Sequence, residues 1–417
     1  MKAPQNHYPA LLSAILFVIA ALLLFAVGLF MGVGAFASVF TGKEVQAQQT
    51  IFLVAFGFEG LVLLVAAFFV FQKFLQKPAA DQEAAIPMPN WLIVVAVIVT
   101  LVVFLIGYQV SRMATVDWIV LPILTIPAIV LPLGVLLAFG TKKLPFGTRW
   151  QTWNVLGLAM SITPFLLFIL EIIAAVIIFF IVFTYISAQP ELASELQTLS
   201  RQIMVIGRNP EAVLELLAPF LTEPAVIVTA LLYMAVLVPA IEELFKPLGV
   251  WLFAGKLKSQ AQGFTLGALS GAGYALIETI GVSGQAAEWA GLLFTRIGTG
   301  LLHITTSALV GGAIVLAWRE RRYLYLFGVY LLAVLLHGLW NTTAVLFSFS
   351  SIAEFLEQEG SLSTLQPTLL IAMAVLAIGL FAILVASNRK LRKTVSPPPL
   401  EPAIPEESID GVEVVKE

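Results

Sequence analysis

Residues 10–40 read ALLSAILFVIAALLLFAVGLFMGVGAFASVF, a stretch without one charged side chain. A helix that crosses a membrane needs about 20 mainly apolar residues to match a hydrocarbon core about 30 Å thick. This stretch exceeds that length, and nine runs of the same character follow near 51–76, 91–110, 118–139, 154–186, 225–254, 262–283, 290–318, 323–348 and 367–387. The expected fold is therefore an all-α polytopic membrane protein with about ten transmembrane helices. The first run is too long for the apolar core of a signal peptide, so it is read as a retained span in a chain that starts at Met1.

Composition agrees with that reading and narrows the function. The 417 residues are 60% hydrophobic and 11% charged, with a mean hydropathy of +0.99, whereas soluble domains carry about 25% charge. The net charge of -3 comes without any basic concentration, which excludes a nucleic-acid footprint. The absence of cysteine removes disulfides, thiolate metal sites, iron–sulfur clusters and cysteine nucleophiles.

Positive residues between spans stay cytoplasmic. Lys2, Lys73, Lys77, Lys142, Lys143, Arg149, Lys256, Lys258, Arg319, Arg321, Arg322, Arg389, Lys390, Arg392 and Lys393 fall on one side, against Lys43, Arg112, Arg201 and Arg208 on the other. The bias places both termini in the cytoplasm. Four regions follow. Residues 1–186 form a five-span membrane region, and residues 187–222 a non-cytoplasmic amphipathic segment in which Leu192, Leu196, Leu199, Ile203 and Ile206 recur at helical spacing. Asn209-Pro210-Glu211 then reads as the start of a second short helix. Residues 223–393 form a polar membrane core with the final span, and 394–417 a Pro- and acid-rich cytoplasmic tail expected to be disordered.

An ionisable group at the bilayer centre costs about 2.5–3.5 kcal/mol even on the gentler scale, so it faces a cavity or a partner. Spans one to five contain Glu59 and Glu171, whereas spans six to nine concentrate Glu242, Glu243, Lys246, Glu278, Arg296, His303 and His337. In Pro239-Ala240-Ile241-Glu242-Glu243-Leu244-Phe245-Lys246-Pro247, both prolines remove a helical hydrogen bond. Glu242 and Lys246 share one face there, and Glu243 points about 100° away. Span seven carries Gly267, Gly271, Tyr274 and Glu278 on one stripe, and span eight carries Arg296, Gly300, His303, Ser307 and Gly311. Small residues four apart let helices approach closely. Span nine places His337 and Asn341 one turn apart. Each feature alone is compatible with packing or hydrogen-bond glue. Together, carboxylates and imidazoles from four helices suit hydrolysis, with a carboxylate taking a proton from water and a histidine stabilising an oxyanion. Two histidines and a glutamate also suit a divalent metal, although HExxH is absent, and a proton or ion path uses the same residue types.

These motifs resemble those of the PrsW family of intramembrane proteases, related to the CAAX-prenyl endopeptidases and bacteriocin-processing membrane proteases. Glu242-Glu243-Leu244-Phe245-Lys246 is similar to the family's EExxK motif, and Tyr274-Ala275-Leu276-Ile277-Glu278 to its FxxxE motif, with Tyr274 in place of Phe and Thr279 where Asn often follows. Arg296 with His303, and His337-Gly338-Leu339-Trp340-Asn341, continue the match in order. The resemblance implies an intramembrane endopeptidase of a prokaryotic cell membrane that acts on membrane-associated protein or peptide substrates, with its catalytic core in spans six to nine. Catalytic roles then fall to Glu243 as base, Glu242 as its partner, Glu278, His303 and His337, with Lys246, Arg296 and Asn341 in support. Two mechanisms stay open: a zinc or other divalent ion held by His303, His337 and Glu243, or a metal-free glutamate mechanism without a cofactor. The alternatives are an ion- or proton-coupled transporter, which predicts related halves about a midplane site, and a non-catalytic membrane scaffold, which would tolerate Glu243→Gln. Oligomeric state leaves no signal in the sequence.

Overall fold

The computed structural model describes residues 7–84, 88–113, 115–207, 209–221, 224–284, 288–355 and 363–395. Lys2, Arg208 and the tail from residue 396, each read above, lie outside these. Among the described residues the elements are helical, save an isolated bridge between Glu83 and Thr148. In chain order they are α1 Tyr8–Thr41, α2 Ala47–Phe74, α3 Asn90–Val110, α4 Asp117–Thr141, α5 Arg149–Met160, α6 Ile162–Ser187, α7 Pro190–Ile206, α8 Pro210–Leu221 and α9 Pro224–Leu231. A π-helical stretch Leu232–Leu237 leads into α10 Val238–Phe245, then α11 Leu248–Phe253, α12 Gln260–Val282, α13 Trp289–Glu320, α14 Tyr323–Phe355 and α15 Gln366–Thr394. Short 3₁₀ turns lie at Pro78–Asp81 and Ser363–Leu365.

Among the described residues, nine helical segments are long and apolar enough to cross a membrane. The expected span at 262–283 is present as α12, whose 23 residues extend about 34 Å, but it is not among those nine. Its composition explains this. Almost every residue from Ala261 to Leu276 is buried, so this helix is solvated by protein and needs none of the bulk apolar surface that lipid demands. The expected span at 154–186 is present within the segment Arg149–Ser187, with a local interruption at Ser161 between α5 and α6. Pro164 has no N–H to offer the carbonyl of Met160, so the α-helical ladder lapses there.

The tightest pairing is between α12 and α13. In a bilayer no hydrophobic gain drives helices together, so close packing decides the partners. A Cβ on Gly267 would lie 2.2 Å from the Ser307 carbonyl oxygen, and one on Gly271 would lie 2.1 Å from that of His303. Only glycine permits such backbone contact, and the register it sets is antiparallel. In the most apolar part of α13, 89% of residues are buried, against 11% in the most apolar parts of the segments Arg149–Ser187 and Pro224–Phe253. The molecule therefore has a dense centre, with thinly packed helices around it.

Candidate active site

Two breaks in regular helix shape the Glu242–Lys246 segment. In the π stretch the N–H of Val238 bonds the Tyr233 carbonyl, five residues back. The next donor in that pattern would be Pro239, which has none. The Met234 carbonyl left over accepts a hydrogen bond from Asn341 Nδ2 at 2.7 Å, and Gly338 packs its backbone against the Ala235 carbonyl, where a Cβ would lie 2.3 Å from the oxygen. At the other end, Pro247 cannot serve the Glu243 carbonyl. The Leu244 carbonyl takes the Trp251 indole N–H at 3.0 Å, and that of Lys246 takes the Ser270 hydroxyl at 2.6 Å. Tyr330, two turns before His337 on α14, donates to the Ala240 carbonyl at 2.7 Å. Side chains from α12 and α14 thus fasten the proline-loosened segment in place.

Glu242, Glu243, Lys246, His303 and His337 converge and are buried. Lys246 Nζ lies 2.6 Å from Glu242 Oε2, 2.9 Å from Glu243 Oε1, 2.7 Å from His303 Nδ1 and 3.3 Å from His337 Nδ1. Sequence spacing placed Lys246 with Glu242 alone, whereas the flexible lysine stem reaches the i-3 and the i-4 carboxylates together. An ammonium only donates, so His303 Nδ1 accepts from it, and His303 Nε2–H donates to Glu278 Oε2 at 2.6 Å. Arg296 pairs with the same oxygen at 2.7 Å and donates to Thr279 Oγ1. His337 Nδ1–H donates to Glu243 Oε1 at 2.8 Å, which leaves the Nε2 lone pair facing Glu242 Oε2 at 3.9 Å.

Glu242, His303 and His337 can each offer one donor atom within 4.8 Å of the others. The sequence reading named Glu243 as the third donor. The geometry groups Glu242 with the histidines, while Glu243 Oε1 accepts from Lys246 and His337. The donor chemistry fits a divalent cation. Two imidazoles and a carboxylate are the usual set, and each histidine is backed by a second carboxylate, which fixes its orientation. Three carboxylates (Glu242, Glu243, Glu278) against two side-chain cations (Lys246, Arg296) leave one formal negative charge to be met, and buried charge persists only when met. The ammonium of Lys246 lies against Glu242 Oε2 and His303 Nδ1.

Asn341 does not enter this cluster; it holds the π stretch. Glu59 is fully buried in α2 with both carboxylate oxygens unpartnered, and Glu171 on α6 is half-buried with Oε1 unpartnered. Tyr274 lies edge-on to His303, with Lys246 Nζ 5.1 Å from its ring centre. The contributions of Ser270 and Tyr330 escaped sequence reading. Tyr330 shares a face with His337 at seven-residue spacing, which is a usable signal; Ser270 carried none.

Helices of membrane-crossing length enclose this polar centre, and its carboxylates and imidazoles suit the class of membrane-embedded hydrolases. Within that class, the pattern of the PrsW family of intramembrane metalloproteases matches residues 165–380, just over half of the 417-residue chain, and the chain belongs to that family. It is an integral membrane peptide hydrolase, as the sequence motifs implied. The match begins within α6 and takes in α7 and α8 ahead of the 223–393 region. No curated protein and no solved structure matches the chain.

Proposed function

We propose that this protein cleaves peptide bonds of membrane-associated protein substrates at the Glu242–Glu243–His303–His337 centre. The observation that carries this reading is Glu243 Oε2. It is buried without a hydrogen-bond partner, while its companion Oε1 is fixed by Lys246 and His337. A fixed carboxylate with one free buried oxygen is placed to accept a proton from water, and buried polar atoms left bare call for such an occupant. His337 would then carry charge shared with Glu243, and Lys246 would counter the negative charge that develops on the attacked carbonyl oxygen. Glu278, held by Arg296, keeps His303 in the tautomer whose Nδ1 faces the centre. Glu242, His303 and His337 would hold a divalent ion such as zinc, which when bound supplies Lewis-acid polarisation of a carbonyl or water. Both termini are placed in the cytoplasm by charge bias, with α12 as a tenth span.

The test is quantitative N-terminal peptide profiling of membrane proteins in cells expressing the wild-type chain or Glu243→Gln at matched levels. New N-termini should appear with the wild type and fall by about 10²–10⁴-fold in the variant, the range of a lost general base. Equal profiles would overturn the assignment of Glu243. For the metal-dependent version, purified active protein should carry about one equivalent of a divalent metal; activity with far less than one equivalent would rule that version out.

A further inference from the structure

Away from this centre, a polar cavity of about 520 Å³ opens where the start of α1, the end of α2, the start of α5 and the loop before α12 meet. Lys73, Lys256 and Lys258 line it against two acids, Asp81 and Glu83, a balance of one positive charge. Asp81 is spent on Lys73, with both carboxylate oxygens 2.8 Å from Nζ. Trp150 sits between Lys73 and Lys256, its ring centres 5.8 and 5.9 Å from their ammonium nitrogens. Two glutamines line the same space, Gln151 at 8% exposure and Gln262 at 5%. The backbone N–H groups of Thr148 and Lys258 donate to their Oε1 atoms at 3.1 and 2.7 Å. That fixes which end of each amide is oxygen, and neither Nε2 group donates to any described residue. Two amide donors open to the cavity, and lysines without a carboxylate of their own, present a donor-rich surface suited to an anionic acceptor.

A second observation says what carries that anion. An apolar groove of about 400 Å³ runs between α1 and α2, lined by Leu11, Ala14, Ile15 and Val18 on one helix and by Leu64 and Phe68 on the other. Ala10, which lines the polar cavity, lies one helical turn from Ala14. From Leu11 to Ile19 the groove follows about 12 Å of helix toward the membrane interior. Tyr8, exposed at the start of α1, marks the level at which aromatic side chains meet headgroups. The structure assigns to this face a binding site for an anionic glycerophospholipid, with its phosphate among Lys256, Lys258, Gln151 and Gln262 and an acyl chain along α1 and α2. Basic pockets between membrane helices bind phosphate headgroups by the same physics. The site is distinct from the peptidase centre: Gln262 and Glu278 lie sixteen residues apart on α12, about 24 Å along its axis.

The full-length chain in mixed phosphatidylglycerol and phosphatidylcholine nanodiscs, released into native mass spectrometry, tests this. Wild type should retain phosphatidylglycerol in preference to phosphatidylcholine. Lys256→Gln with Lys258→Gln, both exposed positions, should reduce that retention about tenfold or more. Ile15→Trp, which fills the groove at another exposed position, should reduce it as well. Lys77→Gln, on the same face but outside the cavity, should not. Equal loss with Lys77→Gln would mean diffuse surface charge and would overturn the site. Displacement of the lipid's effect by soluble glycerol phosphate, with Ile15→Trp silent, would identify a soluble phosphate ester and overturn the lipid assignment.

Discussion

At Lys246 one ammonium is shared by two carboxylates and the His303 imidazole, with His337 beside it, so this residue sets the charge of the centre. Removing one partner of a buried ionic cluster leaves uncompensated charge, which costs about 3–5 kcal/mol. Lys246→Met should therefore lower Tm clearly. Because the same donors suit a divalent cation, added zinc should raise the variant's Tm more than that of the wild type. A variant as stable as wild type, with or without zinc, would disprove the role given to this lysine. Ionisable type within an apolar run was enough to single out every residue of the cluster from sequence. Which glutamate groups with both histidines as a candidate metal donor was not legible, because adjacent positions on α10 differ by about 100°, and their partners come from α13 and α14, far away in the chain.

At the scale of elements, prolines were readable as breaks, but their form was not. Pro239 produces a π stretch behind it, and Pro164 produces the lapse at Ser161. A missing N–H says that a carbonyl is orphaned without saying which distant side chain will satisfy it. Asn341 does so for Met234, and this gives a two-residue prediction. Asn341→Ala should lower kcat by letting α14 and His337 shift, with a stability loss of about 0.5–1.5 kcal/mol, the scale of an interhelical hydrogen bond in membranes. In a Pro239→Ala background a backbone donor returns, so Asn341→Ala should cost measurably less there. Strict additivity in that double-mutant cycle would show that the two residues act independently.

On the scale of the whole molecule, the helical membrane architecture was legible from length and composition, and so was the gathering of polar residues in the later spans. The unequal packing was not. Both α1 and α13 read from sequence as membrane-crossing runs, yet α13 lies inside the protein and α1 is exposed along much of its length. The glycines that decide this act through backbone contact, and their partners become known only once α12 and α13 are seen side by side.

The low apolarity of α12 has a consequence for biogenesis. A segment that is comfortable only inside protein gains little by partitioning into lipid alone, so it should leave the translocon with a companion. The glycine contacts with α13 supply one, and the pair would enter as a helical hairpin. In a glycosylation-reporter assay for membrane integration, residues 260–282 alone should integrate poorly, whereas residues 260–320 should integrate as a pair. Efficient integration of 260–282 by itself would show that α12 needs no escort. The closeness that brings His303 to the lysine would then have its origin before folding, in the order in which helices are admitted to the bilayer.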